Sequence, residues 1–221
     1  HMNNLKNIIF DLGGVLMNFD FAGAGEKFSH LGLPISLPDS VNSKHRTQEA
    51  KPNRADEAIN AYINGFVSEE QFASVLLPHC KKPGVTTSDI VDTLYSLDGS
   101  FPAQRINALV KLRTRYKVFL LSNINRHMWT RTQDMLQRQG YKPQDCFDDT
   151  FLSFEMLMAK PSPDIFVQMI SKTGINPQET IYFDDLIENT EAGAALGLQA
   201  QLVESNKLED CQAYTTLLNN I

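Results

Sequence analysis

The sequence has 221 residues and a formal net charge of −6, from 20 lysines and arginines against 26 aspartates and glutamates. With 42% hydrophobic and 21% charged residues, the composition is typical of a folded globular protein and excludes the disordered and fibrous classes. A chain of this length can bury a core without disulfides, and its acidic balance, with no basic stripe, predicts no nucleic-acid partner.

Five short apolar runs, bounded by polar or turn residues, predict buried strands. They lie at 5–10, 117–121, 150–153, 180–183 and 199–203. From residue 103 onwards, apolar residues with helical spacing lie between these runs and after the last of them, at 103–115, 126–139, 164–173, 188–196 and 208–218. Strands that alternate with helices predict a parallel sheet with helices on both faces, an α/β Rossmann-like core.

A long interval separates the first two predicted strands, and it exceeds what a single crossover helix requires. The interval has helical patterns at 53–66 and 87–97. Between them, Ser68 and Gln71 form a capping box that opens another helix, ending near Pro78. We therefore predict two parts, a core of residues 2–16 and 100–221 and an inserted helical cap subdomain of residues 17–99.

Polar side chains follow three of the predicted strands. Asp11 follows the first strand, Ser122 and Asn123 follow the second, and Asp184 and Asp185 follow the fourth. The carboxyl ends of parallel strands meet at one edge of a sheet, where open sheets bind their ligands, so these residues are expected to converge there.

Lys160, before the helix that leads into the fourth strand, is expected at the same edge. Taken singly, these residues have structural explanations, because Asp and Ser commonly cap helices or form turns. Adjacent aspartates, however, repel each other unless a cation or a donor balances them. The combination at three strand ends therefore indicates a functional site.

These groups suit the transfer of an anionic group through a covalent aspartyl intermediate. One carboxylate would attack, a divalent cation held by the others would offset repulsion, and Ser122 and Lys160 would hold phosphate oxygens. Carboxylate oxygens suit Mg²⁺ better than Zn²⁺, and no histidine cluster is spaced to compete. We therefore predict Mg²⁺ as the cofactor and a small phosphorylated metabolite as the partner.

Four segments in chain order carry this constellation. They are IIFDLGGVL at 8–16, LLSN at 120–123, KPSPDIF at 160–166 and IYFDD at 181–185, with Asn189 following. In this order, with an insertion after the first strand, they resemble the four motifs of the haloacid dehalogenase (HAD) superfamily, in the branch with an inserted helical C1-type cap. The resemblance spans nearly the whole chain and implies the HAD fold.

The resemblance implies a role for each matching position in the phosphoryl site. Asp11 matches the nucleophile, which is also a metal ligand. Ser122 and the backbone of Asn123 match the phosphate-binding pair, and Lys160 matches the lysine that neutralises the nucleophile and the phosphoryl group.

The remaining matches concern the metal. Gly13 matches the position whose backbone carbonyl binds the cation, and Asp185 matches the ligand on the opposite side. Asp184 and Asn189 would support the cation directly or through water.

One position departs from the superfamily pattern. Most of its phosphatases have a second aspartate two residues after the nucleophile, which protonates the leaving oxygen, and here that residue is Gly13. The backbone carbonyl remains, but the general acid is lost. Such catalysis contributes about 10² to 10⁴-fold.

The segment after Asp11 is similar to a bacterial subgroup that includes an α-D-glucose-1-phosphate phosphatase. The similarity extends to Asp20, to SNINR at 122–126 and to NGFVS at 64–68. It implies a phosphatase of sugar phosphates, glucose 1-phosphate among them. An anomeric oxygen is a good leaving group, which explains how Gly13 could be tolerated.

Two other functions remain open at this stage. A 2-haloacid dehalogenase would use the same nucleophile on carbon and also lacks the second aspartate, but such enzymes need no metal, so the pair Asp184 and Asp185 disfavours this reading. A catalytically degenerate member would bind a phosphorylated ligand or a protein partner, and Gly13 alone supports it.

Three further residues have both a functional and a structural interpretation. Asp20 could replace the missing acid or cap the first helix of the inserted segment. Arg126 and His127 could face a substrate, or they could lie in the exposed first turn of a helix.

The cellular setting follows from the cysteines and the hydropathy. Cys80, Cys146 and Cys211 are widely spaced and form no C-x-x-C pair, which favours a reducing compartment. With no run of 18 apolar residues and no leader pattern, we expect a cytoplasmic protein without a membrane partner. The sequence leads to no prediction of the oligomeric state.

Overall fold

The computed structural model describes residues 2–33, 35 and 54–221. Five strands form one parallel sheet in the order β3-β2-β1-β4-β5. The strands are β1 (Asn7–Phe10), β2 (Lys117–Ser122), β3 (Asp149–Leu152), β4 (Thr180–Asp184) and β5 (Gln199–Leu202). The α/β Rossmann-like fold class predicted from the sequence is confirmed.

The α-helices of the described residues are α1 (Phe21–His30), α2 (Arg54–Ile63), α3 (Glu69–Leu76), α4 (Thr87–Tyr95), α5 (Ala103–Leu112), α6 (Arg126–Arg138), α7 (Pro143–Cys146), α8 (Ser153–Met156), α9 (Pro163–Thr173), α10 (Ile187–Ala195) and α11 (Gln212–Asn219). Among these residues, no helix combines the length and the apolar character needed to cross a membrane.

The chain divides into two compact units. One contains residues 1–18 and 100–221, with all five of these strands, and the other contains residues 19–99, with helices α1 to α4. In the second unit the predicted capping box is confirmed: the Gln71 amide donates to Ser68 Oγ at 3.1 Å, and the Ser68 amide donates to Gln71 Oε1 at 2.9 Å. This reciprocal pair begins α3.

The register of the central strand places the candidate residues at one edge. Phe10, the last residue of β1, lies opposite Leu120 of β2 and Phe183 of β4. Asp11, which follows Phe10, and Asp184, which follows Phe183, therefore lie at the same edge of the sheet. All four residues of β1 are buried, as expected for a strand with neighbours and helices on both sides.

Alternate residues of β1 pack on opposite faces of the sheet. Ile9 belongs to a buried cluster that includes Ile165 and Phe166 of α9. Phe10 stacks on Phe183, and both rings meet the edge of Tyr214 from α11. The two layers hold β1, and with it Asp11, in a fixed position.

Two sequence-based expectations differ from the structure. Strand β5 is not buried as predicted, because it lies at the edge of the sheet and pairs with β4 on one side, and Leu202 is exposed. The helix predicted over 208–218 is interrupted: a short 3₁₀ turn, Leu208–Asp210, precedes α11, and Cys211 between them is extended.

One buried hydroxyl fixes the loop after β2. Ser153 Oγ accepts from the Ile124 amide at 2.9 Å and donates to the Ile124 carbonyl at 3.0 Å. Ser153 is fully buried, so bulk water does not reach these two bonds. This pair joins the residue after β3 to the loop that follows Ser122.

Replacement of Ser153 by alanine should cost about 1–3 kcal/mol of unfolding free energy, because it leaves a buried amide without its acceptor. Urea unfolding measures the change. The control is Ser162→Ala, since Ser162 is exposed and makes no capping hydrogen bond, and its effect should stay within about 0.5 kcal/mol. Equal losses in both variants would show that the hydroxyl does not fix this loop.

Candidate functional site

The residues predicted at the strand ends are buried together at the carboxyl edge of the sheet. Asp11 follows β1, Ser122 ends β2, Asp184 ends β4 and Asp185 follows it. Lys160 reaches them from the segment before α9, and its side chain is 1% exposed. Such burial of ionisable groups is costly unless they are paired.

Lys160 lies among the carboxylates and bonds to three acceptors. Its Nζ lies 3.0 Å from Asp11 Oδ1, 2.7 Å from Asp184 Oδ2 and 2.9 Å from the Leu121 carbonyl oxygen. An ammonium group has three protons, so these acceptors use all of them. Lys160 therefore links β1, β2 and β4 through one charged group.

Asp184 is surrounded by donors from the protein itself. Besides Lys160, its carboxylate accepts from the hydroxyl of Tyr182 and from the Leu186 amide at 2.9 Å. The Asn189 amide nitrogen lies 3.2 Å from both of its oxygens. Asn189 thus bonds to Asp184, and Asp184 is positioned to orient Lys160.

Asp185 is in a different environment. Its Oδ2 accepts from Ser205 Oγ at 2.7 Å. One carboxylate oxygen from each of Asp11, Asp184 and Asp185 lies within 4.8 Å of the others, which is close enough for a shared metal ion. Asp11 and Asp185 are the members with fewer protein donors around them.

The charge of this cluster fits a divalent cation. Three negative charges against the one positive charge of Lys160 leave an excess of two negative charges in a buried site. Carboxylate oxygens are hard ligands of the kind that Mg²⁺ prefers. The donor set of this chain therefore fits Mg²⁺ in both charge and chemistry.

The ionisation of these groups reflects the same excess. Burial, with a further contribution from the charge of Asp184, raises the pKa of Asp11 to about 6, although Lys160 opposes the shift. Burial and the charges of Asp11 and Asp184 raise the pKa of Asp185 well above its usual range. The carboxylates outweigh burial at Lys160, and its pKa is raised. The cluster therefore tends to take up either a proton or a cation.

The predicted phosphate-binding residues lie next to Lys160. Asn123 Nδ2 donates to the Lys160 carbonyl at 2.8 Å, and the Lys160 amide donates to Asn123 Oδ1 at 2.9 Å. The side chain of Asn123 thus fixes the backbone that carries the lysine. Ser122, immediately before it, is buried at the same edge.

The loop after Asp11 approaches Asp185 closely. Gly14 has a φ of +81°, and a Cβ at this position would lie 2.3 Å from Asp185 Oδ2. Gly13, the predicted carbonyl ligand, precedes it and forms an isolated bridge with Met17. Only glycine permits both this backbone conformation and this approach.

Asp20, Arg126 and His127 each have two possible roles from the sequence, catalytic or structural. Asp20 belongs to the unit of residues 19–99, where its Oδ1 accepts from the Gly23 amide at 2.9 Å and caps α1. Arg126 and His127 are exposed in the first turn of α6, and the Arg126 guanidinium lies 4.9 Å from the centre of the Phe154 ring. The exposed first turn, which is the structural explanation for both residues, is therefore observed.

Two residues that contact the cluster were missed from the sequence. Tyr182 lies two residues before Asp184 on β4, so both point to the same side of the strand, and the period of two could have revealed it. Ser205 follows β5, and the rule that ligands lie beyond strand ends could have been extended to that strand.

Known proteins resemble this chain over most of its length. A family model described as haloacid dehalogenase-like hydrolase matches residues 5–197. A D-ribitol-5-phosphate phosphatase of Bacteroides thetaiotaomicron is 28% identical over 218 residues, which cover 98% of this chain and 100% of that protein.

Solved structures agree with this likeness. A HAD family enzyme of Bacteroides thetaiotaomicron, crystallised with magnesium and inorganic phosphate, has a TM-score of 0.72 and 28% identity, over 92% of this chain and 96% of that one. A HAD-like family hydrolase of Porphyromonas gingivalis has a TM-score of 0.74 and 26% identity, over 97% and 98% of the two chains.

Alanine at Gly14 should destabilise the protein more than the backbone conformation alone requires. Gly140→Ala is the matched control, because Gly140 has a φ of +86° and nothing lies within 4 Å of its added Cβ. A positive φ costs about 1–2 kcal/mol in both variants. The contact with Asp185 should add about 1–3 kcal/mol at Gly14. Urea unfolding of the two variants measures the difference, and equal losses would contradict the close approach.

Proposed function

Because this chain belongs to the haloacid dehalogenase-like hydrolases, whose family model spans residues 5–197, we propose that it is a Mg²⁺-dependent phosphatase of small phosphorylated metabolites. The observation that carries the proposal is the buried cluster of Asp11, Asp184 and Asp185 around Lys160. A relative named as a D-ribitol-5-phosphate phosphatase supports sugar and polyol phosphates as the substrate class.

In the proposed reaction Asp11 is the nucleophile. One of its carboxylate oxygens forms a bond to phosphorus as the bond from phosphorus to the substrate oxygen breaks, and the released alkoxide takes a proton from water. Water then attacks phosphorus in the aspartyl-phosphate, which releases inorganic phosphate and restores the carboxylate. Lys160 holds the attacking side chain in place through its 3.0 Å contact with Oδ1.

The residues that would hold the cation are Asp11, Asp185 and the carbonyl of Gly13. Asp184 accepts hydrogen bonds from both Lys160 and Asn189. These two residues would therefore support the site, and Asp11 and Asp185 are the preferred ligands. When bound, Mg²⁺ would stabilise charge on the transferring phosphoryl group. The relative crystallised with magnesium and inorganic phosphate supports Mg²⁺ as the cation and phosphate as the transferred group.

Two kinds of phosphate ester are candidate substrates. Glucose 1-phosphate, which the resemblance to its phosphatase subgroup implies, has an anomeric leaving oxygen that needs little protonation. The relative found by comparison is instead named for a polyol 5-phosphate, an ordinary primary ester. Both belong in the substrate panel, and a preference for anomeric esters would support the explanation given for Gly13.

The two alternative functions have less support. A 2-haloacid dehalogenase needs no cation, yet three carboxylates share this site. A degenerate binding protein would retain phosphate without turnover, and Gly13 remains the one feature in its favour. Chloride release from a 2-chloroacid without Mg²⁺ would favour the first alternative, and phosphate binding without any turnover would favour the second.

Replacement of Asp11 by asparagine should lower turnover on the order of 10⁴-fold or more, because the amide keeps the shape but is not a nucleophile. The assay is phosphate release from a panel of sugar and polyol phosphates, with and without Mg²⁺. Asp134→Asn is the matched control, since Asp134 is exposed on α6. Hydrolysis by the Asp11 variant at the wild-type rate would refute the nucleophile.

Mg²⁺ affinity should fall as the pH drops below about 6. The pKa of Asp11 is raised to about 6 in the metal-free site, so protons compete with the cation below that pH, and the raised pKa of Asp185 acts in the same direction. Below this point the dissociation constant should rise about tenfold for each pH unit and for each carboxylate that must lose a proton. Calorimetric titrations from pH 5 to pH 8 measure it, and a constant affinity across that range would contradict the assignment of Asp11 as a ligand.

A further inference from the structure

The loop after β5 contacts two segments of the candidate cation site. Ser205 Oγ donates to Asp185 Oδ2 at 2.7 Å. The next residue, Asn206, donates its amide to the Gly14 carbonyl at 2.8 Å. One short loop therefore touches both the carboxylate after β4 and the glycine turn after β1.

Asn206 itself adopts an unusual backbone conformation. Its φ is +67°, in the left-handed region that asparagine tolerates better than most residues. This conformation turns the chain sharply after Ser205. The loop is thus shaped by a local constraint as well as by its two contacts.

A buried arginine holds the same loop from the other side. Arg105 of α5 donates from Nε and Nη2 to the two carboxylate oxygens of Glu209, at 2.8 Å each. Its Nη2 also donates to the Asn206 carbonyl at 3.1 Å. The planar fork of arginine suits such a bidentate pair.

The remaining arm of Arg105 reaches the segment after β1. Its Nη1 donates to the Asn18 side-chain oxygen at 2.8 Å and to the Leu16 carbonyl at 3.3 Å. Arg105 therefore joins the β5 loop to the chain that runs on from Asp11 and Gly14. It does so without touching any of the predicted ligands.

We propose that Ser205 is a positioning residue for the cation ligand Asp185, and that Arg105 holds Ser205 in place through Asn206. This inference rests on the proposed function, since it assigns Asp185 to the cation. The hydroxyl bonds Asp185 Oδ2 and would fix the orientation in which the carboxylate meets the cation. The close approach of Gly14 to the same oxygen restricts rotation of the carboxylate further.

The mechanism predicts a loss of affinity rather than a loss of chemistry. Outer partners of metal ligands fix ligand orientation, and their removal typically costs about 10–100-fold in metal affinity. The hydroxyl of Ser205 acts on Asp185, the proposed cation ligand, at 2.7 Å. Saturating Mg²⁺ should therefore restore turnover in a variant that lacks the hydroxyl.

The test is calorimetric titration of Mg²⁺ into wild type, Ser205→Ala and Ser205→Thr. The alanine variant should bind Mg²⁺ about 10–100-fold more weakly. The threonine variant, which retains a hydroxyl, should recover most of the affinity. Ser171→Ala, an exposed serine on α9, is the matched control and should bind as wild type does.

Arg105→Lys provides a second arm, because lysine keeps the charge but lacks the fork. This variant should also bind Mg²⁺ more weakly, although Arg105 contacts no predicted ligand. A loss of stability alone would not lower the affinity at temperatures well below unfolding. Affinity within twofold of wild type in both Ser205→Ala and Arg105→Lys would overturn the inference. Failure of the wild type itself to bind Mg²⁺ would instead refute the proposed function.

Discussion

Three aspartates buried at one edge of a parallel sheet repel one another, and the surrounding residues of this site offset part of that repulsion. Asp11, Asp184 and Asp185 bring oxygens within 4.8 Å of one another, and Lys160 supplies one compensating charge. Removing charges from water is costly unless opposite charges and hydrogen bonds replace it. The excess negative charge that remains is the property of this site that fits a divalent cation.

Much of the surrounding structure serves to fix that one lysine. Asn123 bonds the backbone of Lys160 in both directions, and the Leu121 carbonyl accepts one of its protons. Asp184 accepts another and is itself held by Tyr182. The two adjacent aspartates thus have different roles, since Asp184 orients the lysine and Asp185 remains available to a cation.

The sequence predicted the elements on which this arrangement depends, because strand ends can be located from apolar runs. Asp11, Ser122 and the aspartate pair after β4 all follow such runs, and parallel pairing brings them together. The central strand was recognisable since it is buried on both faces. The edge strand β5 was misjudged as buried because an apolar run does not show how many neighbours a strand has.

The partners of Asp185 and of Glu209 depend on contacts between segments that are far apart in the chain. Ser205 meets Asp185, and Arg105 meets Glu209, across sequence separations of 20 and 104 residues. No local pattern marks a serine in a loop as the partner of a particular carboxylate. The division of roles between Asp184 and Asp185 likewise follows from side-chain directions, which two identical adjacent residues do not show in sequence.

The central claim is that Asp11 forms a covalent bond to phosphorus at this site, and it can be tested without knowing the substrate. Inorganic phosphate labelled with ¹⁸O, incubated with the protein and Mg²⁺, should lose its label to water, because attack by Asp11 expels one oxygen and hydrolysis restores an unlabelled one. Phosphorus NMR follows the exchange. The account predicts exchange by wild type with Mg²⁺ and none by Asp11→Asn, whereas equal exchange by both proteins would contradict it.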